Sequence, residues 1–390
     1  MMFPWKLKKK RMLFMVLLLI AGTFCFLNSP LDKAIIAKRP HKVIEHIRNH
    51  EWTLITSNKT RHKTNSTVNL KAKPLRVIIV TQMRSGSSFT GELFNHNDDF
   101  FYLFEPLSDL APKFLGNGTT ENIHTYIERP LVDLIQCNFK DLPGMWWNIN
   151  GFTALHQCAY SRQIQATPLC NLSKPIKNSV SLSKKENPIH ILENLCYGKK
   201  HVALKVIKLE NINYLENIFK NVSMDVKIIH LVRDPRGTFN SRNKLCDILP
   251  HEKYCRNVSY CCARLERNTN IWLDTPMWLQ NKYMLIRYED LAMEPLLYAE
   301  KIYNFLNIQL PNSVRDWING HTQSNYGDEW SHTRNSSQVA TRWRNELSLS
   351  SVLDIQSRCQ LVMNRLGYKT VTTEEMLRNW NYSVLEPLKS

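Results

Sequence analysis

The stretch VIIVTQMRSGSSF (77–89) runs as a β-branched apolar strand into a turn that holds Arg84, Gly86 and three serines. SSFTGELFNH follows with helical spacing. A strand, a tight turn and a helix in that order present backbone N–H groups and a helix N-terminus at the end of the strand. Gly86 permits close backbone approach, Ser85, Ser87 and Ser88 supply hydroxyl donors, and Arg84 adds a delocalised cation suited to tetrahedral anions. These residue types make a phosphate cradle. It is not a Walker A loop, because GxxxxGK[ST] is absent. A serine-rich helix cap beside an exposed arginine would produce the same string, so this loop alone leaves both readings open.

Outward from that loop the pattern repeats. DFFYLF is a second strand candidate, HVALKVIKL (201–209) a third, DVKIIHLV (225–232) a fourth and KYMLIRYEDL (282–291) a fifth. NINYLENIFKN and PLLYAEKIYNFL lie between or after them at helical spacing. Strands alternating with helices predict βαβ units, hence an α/β domain with a mostly parallel sheet flanked by helices. Residues 137–200 are rich in Cys, Asn and Ser and read as an irregular insertion held by disulfides.

A second basic turn sits in IIHLVRDPRGTFNSR (228–242), where Arg233 and Arg236 flank a proline. A helix beginning near Pro235 places Ser241 in its second turn, where its hydroxyl can share an anion with Arg233. Asp234 could equally pair with an arginine and cap the helix. Two cationic strand-end turns in one chain suit a ligand with phosphates at both ends.

The N-terminus sets the compartment. The chain has 390 residues, with 51 Lys and Arg against 34 Asp and Glu. Lys6, Lys8, Lys9, Lys10 and Arg11 precede an uncharged apolar run at 12–27, which leaves 46 cationic side chains against 34 acidic ones, a net +12, for the rest. The run is shorter than the ~20 residues of a usual span and lacks a clean small-residue cleavage site, so it reads as an uncleaved signal anchor. The basic cluster at 1–11 stays cytoplasmic, 28–74 forms a polar stem, and 75–390 forms a single lumenal catalytic domain. A short span suits a thin Golgi-type membrane. Asn-x-Ser/Thr sequons at Asn58, Asn65, Asn117, Asn171, Asn221, Asn257, Asn335 and Asn381 agree with a lumenal body. Outside the apolar run nine cysteines remain, so in an oxidising lumen most pair and at least one is left over. The net positive charge implies an anionic partner, and the lumenal location argues against nucleic acid.

At this point RSGSSF, FYLFEP, LVRDPRGTFNSR, LIRYEDLA and TRWRNEL, in this order and spacing, resemble the Golgi carbohydrate sulfotransferases, and most of all the galactose/N-acetylglucosamine/N-acetylgalactosamine 6-O-sulfotransferase group. The likeness covers roughly residues 75–370, excluding most of 110–200. It implies a P-loop-like fold, a single-pass type II Golgi membrane protein, 3′-phosphoadenosine 5′-phosphosulfate (PAPS) as cosubstrate, no metal, and a glycan or proteoglycan acceptor. It leaves oligomeric state open, a homodimer included. Carried over by position, Arg84, Ser85, Gly86, Ser87 and Ser88 hold the 5′-phosphosulfate, and Arg233 and Ser241 the 3′-phosphate. Arg84 stands where many sulfotransferases have Lys, so it would stabilise charge without giving up its proton. Gln82 and Met83 replace the small or aromatic residues expected before it.

Glu105 in FYLFEP is the expected base, with His96 second. Lys205 is either a strand-end cation reaching the donor sulfate or a snorkelling surface lysine. Arg287, Glu289 and Asp290 are expected to organise the core beneath the site. Thr341, Arg342, Trp343 and Arg344 are candidates to close over the nucleotide, and Trp146 and Trp147 to line a sugar groove; for both tryptophan sets core packing is the alternative. Transfer of sulfate to a sugar 6-hydroxyl is the leading reading. A lumenal sulfotransferase for tyrosine or uronic acid, or a non-catalytic glycan-binding membrane protein, are the others.

Overall fold

A computed structural model describes residues 74–108, 124–142, 152–173, 187–221, 224–246, 255–322 and 336–388. The expected tail, anchor and nearly all of the stem lie outside these. Among the described residues no helix is long and apolar enough to cross a membrane.

The opening strand, β1 (Leu75–Val80), is buried along its whole length. It becomes helix α1 (Ser87–Asn95) after the Arg84 turn and returns as β2 (Phe100–Phe104). Helices α2 (Arg129–Ile135), α3 (Phe152–Tyr160) and α4 (Pro188–Tyr197) precede β3 (His201–Val206). The chain continues through β4 (Asp225–Val232), α5 (Pro235–Cys246), α6 (Val258–Leu273) and β5 (Tyr283–Arg287). It ends in α7 (Tyr288–Met293), α8 (Pro295–Phe305), α9 (Asn312–His321) and α10 (Leu349–Arg365), with short turns of helix between and after.

The five strands form one sheet in the order β2-β3-β1-β4-β5. Every neighbouring pair is parallel, as the strand–helix alternation predicts. Side chains alternate between faces. Ile78, Val80, Phe101 and Leu103 enter one core, and Val77, Ile79, Phe100 and Tyr102 the other. Cover on both faces explains why these strands read as apolar runs rather than alternating ones. A third core gathers Val232, Phe239, Trp343 and the inner face of α10. The chain moves outward from β1 to β2 on one side, then crosses to β4 and β5 on the other. The strand order therefore reverses at β1, the kind of switch point beyond whose strand carboxyl ends open α/β sheets bind ligands.

Two segments differ from the sequence reading. The 137–200 insertion is not irregular, since α3 and α4 lie within it. Pro188 at the first helical position and the Asn187 side chain, which accepts from Ile189 N, start α4. NINYLENIFKN is not one helix but a 3₁₀ turn, Ile212–Leu215, leading into a short α-helix, Glu216–Asn221.

Disulfides join Cys137 to Cys196, Cys158 to Cys170, Cys246 to Cys255 and Cys262 to Cys359. Cys261 is buried and takes part in none of these disulfides. The Cys262–Cys359 bond spans a sequence separation of 97 and ties α6 to α10. A loop of that length gives a cross-link most of its leverage on the unfolded chain, about 4–5 kcal/mol in the chain-entropy picture.

Candidate active site

The β1–α1 turn uses two left-handed residues, Arg84 at φ 66° and Gly86 at φ 86°. Gly86 is obligatory for a second reason: a Cβ there would sit 2.1 Å from Cδ2 of Tyr288. The residues that depart from the family pattern fix the turn from behind. Gln82 Nε2 donates to Cys261 O at 2.9 Å, and Arg242 Nε donates to Met83 O at 3.1 Å. Ser85 and Ser87 are buried, while Arg84, Gly86 and Ser88 are partly exposed along the same turn. Ser88 lies in the first turn of α1, where helix N–H groups lack intrahelical partners.

At the β4–α5 turn the two arginines divide. Arg236 is fully buried. Its Nε and Nη2 donate to the Asp234 carboxylate, its Nη1 donates to Gln356 Oε1 and Lys369 O, and its guanidinium lies 4.2 Å from the Trp343 ring centroid. Asp234 also caps α5 by accepting from Arg236 N at 2.9 Å. Pairing and capping therefore account for Arg236.

Arg233 faces the other turn. Its Nη1 donates to Arg84 O at 2.9 Å, its Nη2 donates to Val339 O at 3.0 Å, and its guanidinium lies 4.7 Å from the Tyr288 ring centroid. Its Nε, and Thr238 Oγ1 one turn along α5, are buried without a hydrogen-bond partner. Ser241 stands in the second turn of α5, as the spacing implies, and accepts from Arg84 Nε at 2.8 Å. The two basic turns thus meet in one cluster at the ends of neighbouring strands, where Val80 pairs in register with His230.

Glu105 follows β2 with φ 46°. One carboxylate oxygen lies 2.8 Å from Lys205 Nζ, and the other accepts from Ser108 Oγ at 3.3 Å. Lys205 is fully buried at the end of β3, in register with both Phe104 and Ile79. Its Nζ also reaches Ser88 Oγ at 3.5 Å and lies 3.3 Å from the Phe104 ring centroid. Burial pulls the Lys205 pKa below its ordinary value, and the Glu105 carboxylate opposes that pull. The snorkelling reading of Lys205 is therefore wrong, because its ammonium joins the turn carrying Ser88 to the strand end carrying Glu105. The available signal was a lysine inside an apolar strand.

Behind the cluster, Glu289 accepts from Asp234 N at 3.0 Å and from the Tyr368 hydroxyl at 2.9 Å. Burial, reinforced by the Asp234 charge, pushes its pKa up to about 7. Arg287 pairs with both oxygens of Asp290 at 2.7 and 2.9 Å. Both contacts match the organising role expected for this segment.

Two of the four residues expected to close over a nucleotide are engaged elsewhere. Trp343 is buried in the third core, and Arg344 donates to the carbonyls of Leu377, Tyr382, Met376 and Asn379. His96 pairs with Glu92 at 3.1 Å and stacks on Trp317, 5.2 Å between centroids. Trp146 and Trp147 lie outside the described residues.

The sulfotransferase domain profile matches residues 74–367. Carbohydrate sulfotransferase 1 of Mus musculus is 32% identical over 355 residues, covering 81% of this chain and 84% of that one. Carbohydrate sulfotransferase 3 of Mus musculus is 29% identical over 339 residues, covering 80% and 71%. Among solved structures, the sulfotransferase domain from the Synechococcus PCC 7002 olefin synthase aligns at a TM-score of 0.40 and 17% identity, covering 77% of this chain and 98% of that one. The profile match takes in every strand of the sheet together with both basic turns, and the chain belongs to the sulfotransferase domain family.

Proposed function

We propose that this sulfotransferase moves sulfate from PAPS to the 6-hydroxyl of a GlcNAc, Gal or GalNAc residue in a glycan such as a keratan- or chondroitin-type chain. One observation carries the reading. Arg84 of the first turn bonds both Arg233 and Ser241 of the second, where the strand order reverses, with Glu105 two strands away. The residues present fit an adenosine donor with two phosphate ends. Arg233 Nε and Thr238 Oγ1 are buried and unpartnered. Residues 84–88 would hold the 5′-phosphosulfate, and Arg233 and Ser241 the 3′-phosphate.

When bound, PAPS supplies an activated sulfuryl group and a phosphate leaving group. As in phosphoryl transfer, preorganised cations and N–H donors stabilise the charge that gathers on the leaving oxygen. Arg84 serves there without donating its proton. Glu105 takes the proton of the attacking hydroxyl, and the ammonium of Lys205, 2.8 Å away, orients its carboxylate. The surplus of cations over the chain beyond residue 11 suits an acidic polysaccharide. The apolar run at 12–27 would anchor the protein in a Golgi membrane with the catalytic domain in the lumen.

The test is the full chain in detergent with radiolabelled PAPS, offered unsulfated keratan- and chondroitin-type acceptors and a tyrosine peptide, followed by mapping of the modified carbon. Label on a sugar C6 is expected. Label on tyrosine alone, or none on any acceptor, overturns the reading.

A further inference from the structure

Helix α3 is bolted to the end of β2 by one side chain. Among the described residues β2 is an edge strand of the sheet, so its outer N–H and C=O groups have no strand there to pair with. At its last residue Gln157 supplies both missing bonds. Phe104 N donates to Gln157 Oε1 at 3.0 Å, and Gln157 Nε2 donates to Phe104 O at 2.5 Å. Ser161 Oγ donates to the same Gln157 oxygen at 2.8 Å, and the Cys158–Cys170 disulfide ties the helix to the segment after it. The residue that follows Phe104 is Glu105, so the clamp fixes α3 directly beside the expected base.

The clamp also sets two rings there. Tyr160 stacks on Phe104 at 4.3 Å between centroids, and His156 meets both rings edge-on, at 5.5 and 5.7 Å. Phe104 is buried, as is Nδ1 of His156, but His156 and Tyr160 as whole residues are only partly covered. Burial first, and the Glu105 charge second, raise the Tyr160 pKa. Strand order separates these rings from the anion cluster. Neighbouring strands lie about 4.8 Å apart, so the end of β2 is about 10 Å from the end of β1 and about 14 Å from the end of β4. The clustered cations thus lie at the ends of β1 and β4, and partly exposed aromatic side chains with polar tips lie at the end of β2, next to Glu105.

We propose that His156 and Tyr160, backed by Phe104, form the subsite for the sugar ring that accepts the sulfate. Pyranose rings present C–H faces that pack on aromatic surfaces and hydroxyls that pair with the tips of tyrosine and histidine. This rests on the reading that the acceptor is a glycan. The insertion carrying α3 would then hold acceptor recognition, while the two basic turns hold the donor.

The experiment compares full-length wild type with Tyr160→Leu, Tyr160→Phe and His156→Ala. The acceptor KM is expected to rise about tenfold in Tyr160→Leu and in His156→Ala, the scale of ~1.4 kcal/mol of lost contact, and to stay within about threefold in Tyr160→Phe. The affinity for adenosine 3′,5′-bisphosphate should stay within about twofold in all three. Unchanged acceptor KM in both ring-removing variants overturns the proposal, as does an equal loss of bisphosphate affinity. A second measurement needs no variant to fold. Diethylpyrocarbonate labelling of His156 in wild type should slow with unsulfated glycan and not with the bisphosphate; labelling indifferent to glycan overturns the subsite. If no glycan receives sulfate, the assigned reaction fails by itself, and the labelling result still decides this subsite.

Discussion

Arg233 donates from Nη1 to the carbonyl oxygen of Arg84 at 2.9 Å, so a side chain from the second basic turn holds the backbone of the first. Arg84 in turn reaches back to Ser241, six residues into the helix that the second turn starts. The two turns therefore act as one unit, and damage to either reaches both.

Arg233→Ala removes a buried guanidinium from that unit. The dissociation constant for adenosine 3′,5′-bisphosphate is expected to rise about ten- to hundredfold, the scale of a lost charge-assisted contact. Calorimetric titration reads this directly, and unchanged affinity would remove Arg233 from the donor site.

Glu105→Gln keeps the shape of the strand end and removes the proposed proton acceptor. Turnover is expected to fall about 10²- to 10⁴-fold, with bisphosphate affinity retained. Steady-state kinetics at saturating PAPS separates the two effects, and normal turnover would mean that another group takes the proton.

Gly86→Ala combines a left-handed backbone with a collision against Tyr288. A loss of about 2–3 kcal/mol is expected, enough to lower the melting temperature clearly. Tyr288→Ala relieves the collision but not the backbone strain and carries its own cost as a buried ring, so Gly86→Ala should cost less in a Tyr288→Ala background than in wild type, but not nothing.

Glu289 carries a pH signature. Its carboxyl titrates near 7 in the folded protein and at an ordinary, lower value once unfolded. Between about 4.5 and 7 the folded state holds a proton that the unfolded state has released, so this residue's contribution to stability falls as pH rises through that window. Below it both states are protonated, and above it neither is, so the contribution is flat on both sides. Thermal melts from pH 4 to 8 should show a slope in wild type that Glu289→Gln reduces; identical slopes would exclude the effect.

Much of this architecture was legible in residue patterns. DVKIIHLV coincides with β4 from end to end, and Ser241 falls where a helix starting at Pro235 puts it. Buried parallel strands announce themselves as apolar runs, and strand-end turns as clusters of Gly, Ser and Arg, because both signals are local. What escaped depends on distant partners. Lys205 read equally as a strand-end cation or a snorkelling surface lysine because its partner Glu105 lies 100 positions earlier in the chain. Trp343 and Arg344 looked free to meet a ligand because the carbonyls that engage Arg344 come from residues 376–382, beyond a whole helix. The role of α3 hangs on Gln157 meeting Phe104, a separation of 53 that no periodicity reports.

The central position of β1 also has a cost during biosynthesis. Its two sheet partners, β3 and β4, end at Val206 and Val232, so β1 leaves the ribosome long before either exists. At translation rates of about 5–20 residues per second, the wait is on the order of ten to thirty seconds. Through that interval LRVIIV is a bare, sticky segment, and a nascent chain of this kind depends on chaperones to shield it until its last neighbour has been made.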